Sequence, residues 1–315
     1  MRNSLRAGVI GAGIFGGYHA AKYLAAEGTV VTSIFDVDAA RAQSLAEKCG
    51  ATAARSLDAF LDAVDVVTVA SPAETHFDIG RVALEAKRHV YMEKPLAMEV
   101  GHADILAELA EAHERVLFVG HQERVLMDTV GLTGLGETPG RLEFARCGPA
   151  SGRCEEVSVV WDLMVHDLDL AARMVGSAPA DVVAAGDDNE VAATVTFDNG
   201  AVASFLASRC SAVRRRSMTA AFDDGDVTVD FLARSLSSTR PGMRRRVEFG
   251  NLVADPLGAH VNAFLAAVRG EASDGVRGAD ARDSVILAAM VERARSRTNS
   301  RAVRPAGELR ERLYA

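Results

Sequence analysis

Leu5-Arg6-Ala7-Gly8-Val9-Ile10-Gly11-Ala12-Gly13-Ile14-Phe15-Gly16 is a short apolar run ending on G-x-G-x-x-G, with a helical pattern opening at Ile14. Each glycine in such a turn has its own physical reason. The first allows the tight bend, the second lets a pyrophosphate approach the backbone, and the third lets the helix pack against the strand. The helix start, with Ile14 and Phe15, then presents backbone N–H groups and the positive end of the helix dipole to phosphate. A glycine-rich turn alone is weak evidence for a dinucleotide site. Its context strengthens it: the next apolar run, Val30–Phe35, ends at Asp36, about 20 residues after Gly16, where an acid hydrogen-bonds the ribose hydroxyls. A carboxylate there repels a 2′-phosphate, so NAD is expected rather than NADP. The alternative role for Asp36, capping the next helix, suits Asp38 better.

The same alternation continues to residue 120. Strands are expected at Val64–Ala70, His89–Met92 and Val116–Gly120, and helices at Ala39–Cys49, Thr75–Ala86 and Glu99–Glu114. Continuous apolar strands between helices imply a parallel sheet covered on both faces. The rhythm changes after residue 122. A helical stretch at Asp162–Met174 is followed by alternating segments, Val191–Phe197, Ala201–Ser208, Met218–Phe222 and Val227–Phe231, with Asp198-Asn199-Gly200 as a hairpin turn between the first two. Helices Pro256–Val268 and Ala279–Arg295 follow. The expected fold is thus an α/β Rossmann domain (1–122) followed by an α+β domain (123–315) with a mostly antiparallel sheet.

The composition narrows the function classes. At 49% hydrophobic and 25% charged residues, the 315-residue chain can build full cores. A net charge of −8 argues against a nucleic-acid partner, and the runs Arg214–Arg216 and Arg244–Arg246 read as solvated surface. Cys49, Cys147, Cys154 and Cys210 make no metal-ligand spacing, so no metal is expected, and their pattern suits a reducing cytosol. No apolar stretch reaches the roughly 18 residues of a membrane helix, and a cytoplasmic protein is expected.

Two further stretches carry chemistry. Tyr91-Met92-Glu93-Lys94-Pro95-Leu96-Ala97 directly follows a strand, which puts Lys94 at a strand's carboxyl end, where α/β proteins bind ligands. In Trp161-Asp162-Leu163-Met164-Val165-His166-Asp167 the i, i+4 spacing puts Asp162 and His166 on one helix face. With Gly11–Gly16 and the Ser71-Pro72…His76 segment, these motifs resemble the Gfo/Idh/MocA (glucose–fructose oxidoreductase/inositol dehydrogenase) family along essentially the whole chain.

That resemblance implies a Rossmann domain plus an open-faced sheet domain used for substrate binding and for assembly into homodimers or homotetramers. It also implies roles for single residues. His166 is the general base for a substrate hydroxyl as hydride leaves the carbon, a task suited to imidazole's pKa of about 6.5. Lys94 donates to the same oxygen, and Asp162 orients the sugar or the imidazole. Ser71 and His76 line the cofactor, and Glu93 lies near the nicotinamide ribose. His19 matches a family position without assigned chemistry. The Lys94-Pro95 bond is a candidate for cis geometry. After Gly120-His121-Gln122-Glu123-Arg124 the chain runs Val125-Leu126-Met127 where sugar-acting members continue with an aromatic residue and Asn-Pro. The 162–169 run and Ala207–Ser211 lean toward the branch that oxidises the 3-hydroxyl of a UDP-linked amino sugar, with Arg146, Arg153 and Arg209 as candidates for its anionic groups. The alternatives are an inositol or free-sugar dehydrogenase, an NAD-dependent glycosidase and a non-catalytic dinucleotide-sensing regulator.

Overall fold

Apolar runs rich in valine form the first strands, and polar side chains cap two of the helices between them. In chain order these are β1 (Leu5–Ile10), α1 (Ile14–Ala25), β2 (Thr29–Phe35), α2 (Ala39–Cys49), β3 (Thr52–Ala53), α3 (Leu57–Asp62), β4 (Val66–Val69), α4 (His76–Glu85), β5 (His89–Met92), α5 (Val100–Ala112) and β6 (Leu117–Val119). The computed structural model describes residues 4–150, 156–250 and 252–301. Asp38 caps α2 by accepting from the amides of Ala40 and Arg41, at 3.0 and 3.2 Å. Ser56 caps α3 in the same way through Ala59. The six strands pair in parallel in the order β3-β2-β1-β4-β5-β6. This is the doubly wound order, which places a ligand crevice beyond the strands' carboxyl ends.

The chain continues with α6 (Gln122–Thr129), β7 (Arg141–Pro149), a π-helical turn (Val160–Met164), α7 (Val165–Val175), β8 (Pro179–Gly186), β9 (Glu190–Phe197), β10 (Val202–Ser208), β11 (Cys210–Phe222), β12 (Gly225–Asp230), β13 (Ser235–Ser238), β14 (Arg246–Glu248), α8 (Pro256–Val268) and α9 (Gly278–Arg301). The second sheet has the order β14-β13-β12-β11-β7-β10-β9-β8. It is antiparallel except where β10 runs parallel to β7. The β9–β10 hairpin closes at Gly200 (φ +85°), as expected for Asp-Asn-Gly. Strands β3, β7, β8, β13 and β14, and helices α3 and α6, add to the expected elements.

The division of the chain differs from the expected cut at residue 122. One unit comprises the chain to Val125 together with Asp255–Val285; the other comprises Leu126–Ala254 and the chain from Ile286. The reason is apolar burial. Leu257, Val261, Phe264 and Leu265 of α8 belong to the same core cluster as Ala7, Val9, Tyr23, Tyr91 and Phe118. Polar groups fix the fit: the Val276 amide donates to His260 Nε2 (3.1 Å), so Nδ1 carries the proton and donates to the Tyr91 hydroxyl (2.7 Å). Removing a buried aromatic such as Phe264 from this seam costs about 3–5 kcal/mol. No described helix is long and apolar enough to cross a membrane.

Candidate functional site

The glycine loop at the end of β1 has the shape of a phosphate cradle. Gly11 adopts φ +94°, and a Cβ there would lie 2.6 Å from the Ala70 carbonyl oxygen. A Cβ on Gly16 would lie 1.8 Å from the Gly11 oxygen, so α1 starts against the loop. At Gly13 an added Cβ would meet nothing within 4 Å, which is the open side a pyrophosphate needs. No side chain caps α1, and the first N–H groups of a helix have no partner within it. Ile14 and Phe15 are exposed beside them. A cleft of about 660 Å³ lies beside this loop, lined among others by Ala12, Gly13, Ile14, Tyr18, Arg41 and Lys48.

Asp36 is held firmly at the end of β2. Its Oδ2 accepts from the Ala12 amide (2.7 Å), and its Oδ1 accepts from the Asp38 amide (2.8 Å) and Arg41 Nη2 (3.1 Å). Its side chain is 7% exposed. Each carboxylate oxygen has two lone-pair directions, so Oδ2 keeps one for a ribose hydroxyl. Asp38, not Asp36, caps α2. The loop, the uncapped helix and the fixed acid together fit a dinucleotide without a 2′-phosphate.

At the ends of β4 and β5 the expected cofactor residues behave differently. Ser71 is half-buried, with its hydroxyl on Thr75 (2.7 Å). His76 is 1% exposed, with Nδ1 2.6 Å from the Pro95 carbonyl oxygen and Nε2 3.0 Å from that of Ser71. It has no surface left for a cofactor. Glu93 is also buried, and its Oε1 lies 2.7 Å from His19 Nε2 of α1. Burial pushes the Glu93 carboxyl up, but the His19 hydrogen bond and charge, with Lys94 and His76, bring it below the usual range. Lys94 sits half-buried between Glu93 and Pro95, and the Lys94-Pro95 bond is cis.

In the other unit, Asp162 and His166 flank the junction of the π-turn with α7. The Val165 amide bonds Val160 across this wider turn. Single π-turns are rare and cluster at functional sites. Asp162 is 20% exposed and 4.0 Å from Arg209 Nη2, which also donates to the Val157 carbonyl (2.8 Å). His166 is half-buried. The next residue, Asp167, takes a forked bond from Arg146, through Nη2 (2.7 Å) and Nε (3.2 Å to each oxygen), with both side chains 3% exposed. Arg146, expected as an anion contact, is therefore committed to anchoring the start of α7 to β7. Arg209 stands beside Asp162, and Arg153 lies outside the described residues. Sequence reasoning missed the Arg146–Asp167 and His19–Glu93 pairs, because nothing in the spacing of either marks its partner. Among the described residues no cluster of three or more His, Cys, Asp or Glu side chains is arranged to hold a metal ion.

Comparison with known proteins bears on both units. Residues 5–121 match the model of the oxidoreductase family with an NAD-binding Rossmann fold, and residues 146–228 match the GFO/IDH/MocA C-terminal domain. A UDP-N-acetylglucosamine 3-dehydrogenase of Acidithiobacillus ferrooxidans is 36% identical over 293 residues, 87% of this chain and 93% of that protein. A solved structure of the UDP-N-acetylglucosamine 3-dehydrogenase from that organism superposes with a TM-score of 0.86 at 33% identity, covering 93% of this chain and 98% of that one. A myo-inositol 2-dehydrogenase of Thermotoga maritima is 28% identical over 214 residues, 63% of this chain and 64% of that protein. With its NAD-binding Rossmann half and its matching C-terminal half, this chain belongs to the Gfo/Idh/MocA family of oxidoreductases.

Proposed function

We propose that this NAD-dependent oxidoreductase, which takes hydride from a secondary hydroxyl of a sugar or nucleotide sugar, acts on the 3-hydroxyl of a UDP-linked amino sugar. The observation that carries the substrate is the 36% identity to a UDP-N-acetylglucosamine 3-dehydrogenase along 93% of that protein. Bound NAD supplies the hydride acceptor, held by the Gly11–Gly16 loop and Asp36. His166 takes the hydroxyl proton, and Lys94 donates a hydrogen bond to the oxygen as negative charge develops on it. Asp162 fixes the sugar, and Arg209 beside it is the remaining described arginine of the anion-binding set. Possession of Lys94, Asp162 and His166 together favours a catalyst over a dinucleotide-sensing regulator.

The test is NADH formation with UDP-N-acetylglucosamine, UDP-glucose, myo-inositol and glucose. The UDP-amino sugar is expected to exceed the others in kcat/KM by at least about 10²-fold, since a site built for a polar substrate group rejects analogues lacking it. A larger value with inositol or free glucose replaces this substrate by that one, and no reduction with any sugar favours the regulator.

The second unit is read as the substrate and assembly domain. On β9 and β10, Ala192, Thr194, Thr196, Val202, Ser204 and Leu206 leave one sheet face partly exposed, with Glu190 as its charged residue at one end, while the alternate residues are buried. A second copy is the expected cover, giving a homodimer or homotetramer. Light scattering that finds a 33.3 kDa monomer at micromolar concentration refutes this. A cytoplasmic location is part of the same proposal, supported by three described cysteines that are all free.

A further inference from the structure

His76, the first residue of α4, lies between two backbone carbonyls that belong to different loops. Its Nδ1 is 2.6 Å from the Pro95 oxygen, and its Nε2 is 3.0 Å from the Ser71 oxygen. Ser71 follows β4 and Pro95 follows β5, and these strands are neighbours in the parallel sheet. Both loops therefore leave the sheet at the edge where an α/β fold binds its ligand. The β5 loop is also gripped from its other flank, where Glu93 is held by His19 of α1 at 2.7 Å. Lys94 is the residue between these two grips. Pro95, Leu96 and Ala97 after it are buried, so the backbone carrying the lysine is fixed while its side chain stays half-open.

We propose that His76 is a positioning residue for Lys94, tying the turn that carries the lysine to the Ser71 loop. This rests on the role given to Lys94 above. A carbonyl oxygen can only accept, so each contact requires a protonated ring nitrogen. A neutral imidazole has one N–H, and the shorter contact, Nδ1 to Pro95, is where it lies. Burial lowers the proton affinity of the ring, against the raising effect of the two carbonyls and of Glu93; Lys94 lowers it further. The bond to Pro95 is thus the persistent one, and it acts one peptide away from Lys94. Displacing a catalytic group by about 1 Å can cost on the order of 10²-fold in rate, so a distant anchor of this kind is visible in turnover.

The test separates the two ring nitrogens. In His76→Asn the carboxamide nitrogen takes the place of Nδ1; in His76→Gln it takes the place of Nε2. His76→Asn is expected to keep kcat within about threefold of wild type and His76→Gln to lose at least about tenfold, both with near-normal NAD affinity, because the misplaced group is Lys94 and not the cofactor loop. Because His76 acts through Lys94, His76→Gln should cost nothing further in a Lys94→Ala background. Equal losses in the Asn and Gln variants that follow their melting temperatures, or full additivity with Lys94→Ala, overturn the proposal in favour of a merely structural role. A Lys94→Ala enzyme with wild-type turnover removes the role of Lys94 and this inference with it; loss in Lys94→Ala beside wild-type turnover in His76→Gln overturns the inference alone. If the Gln variant does not fold, the side-chain ¹⁵N spectrum of the wild-type protein decides: a protonated Nδ1 on His76 at neutral pH is expected, and an unprotonated one refutes it.

Discussion

In the first sheet β4 and β6 bury every side chain, whereas β9 in the second buries only alternate ones. A strand buried on both faces has no side chain to offer a ligand, and the residues proposed for chemistry in the first unit, the Gly11 loop, Asp36, Ser71 and Lys94, all follow strand ends. The second unit has a face to spare, and its proposed catalytic residues, Asp162 and His166, stand at a helix start. The histidines divide the same way. Of eight in the chain, His166 alone lies between Leu126 and Ala254, and none follows Val285. In the first unit His19, His76, His121 and His260 are buried polar fittings of the core. A histidine therefore means different things in the two units, and substitution is the way to expose the difference.

The largest expected effect is on turnover. His166→Ala and Lys94→Ala should each lower kcat by about 10²- to 10⁴-fold, the usual contribution of a general acid or base. NAD affinity by fluorescence titration should stay within a few-fold of wild type, since the cofactor contacts proposed are the glycine loop and Asp36. The proposed roles on a common substrate oxygen require that the double variant resemble the worse single one, since such losses are not additive. A folded His166→Ala enzyme with near-normal turnover ends the general-base role.

Next in size is an acid sensitivity that belongs to the first unit. Burial lowers the pKa of His260 to about 4, helped by the charges of His121, His19 and Arg124 against Glu93. The unfolded chain titrates this residue near 6.5, so between those values it binds more protons than the folded chain. Stability therefore falls as pH drops from about 6.5 to about 4, by up to roughly 3 kcal/mol from this group. Urea titrations across that range should show the slope, and His260→Asn should be weaker at pH 7 but flatter toward acid. An unchanged slope in that variant assigns the effect elsewhere, with His89, also lowered to about 4, as the next candidate.

A smaller effect concerns cofactor choice. NAD should bind at least about tenfold more tightly than NADP, equivalent to about 1.4 kcal/mol, because the fixed Asp36 carboxylate opposes a 2′-phosphate. Asp36→Ser should narrow that ratio, since Arg41, now shared between Asp36 and Asp38, becomes available to phosphate. Equal affinities in the wild-type enzyme refute the role of Asp36.

The smallest effect is a control on charge. Arg6 and Asp65 pair at 2.7 Å with side chains 42% and 35% exposed. The Arg6 hydrogen bond, partly offset by burial, holds the Asp65 carboxyl below its ordinary range. The contribution is present above the ordinary carboxylate pKa and lost as pH falls through the depressed one. Being solvent-screened, it amounts to less than about 1 kcal/mol, and thermal melts of Asp65→Asn near neutral pH should show no more. Arg146→Met, which strips Asp167 of a buried partner in the second unit, should cost about 3–5 kcal/mol by comparison.

The legible part of the molecule was the part governed by local rules. Apolar runs between helical segments specify a covered parallel sheet, and Asp38 and Asp198-Asn199-Gly200 act through neighbours a few residues away. The glycine fingerprint and Asp36 were legible for the same reason. What escaped was the identity of distant partners. An apolar stripe on α8 says that a face is buried, not that it is buried against Tyr91 and Phe118. Arg146 reads as a free cation until Asp167 is found beside it. Arg141–Pro149, broken by charges at Arg141, Glu143 and Arg146, lacks an apolar run, yet it is a central strand that pairs with both β10 and β11. His76 and Glu93 lie in the motifs that mark the cofactor edge, but their side chains turn inward to tie loops together.

The return of Asp255–Val285 to the first unit also has a consequence for how the protein is made. A ribosome delivers the chain from its N-terminus, and domains ordinarily fold in that order. Here the nucleotide-binding half cannot close its core when residue 125 emerges, because Val261, Phe264 and the His260 that bonds Tyr91 are still untranslated. Until they emerge, Tyr91 and Phe118 wait with one side uncovered. The intervening half, continuous in sequence over most of its length, is free to acquire its sheet meanwhile. An early start thus gives no early finish: the domain whose synthesis begins first must wait for nearly the whole chain.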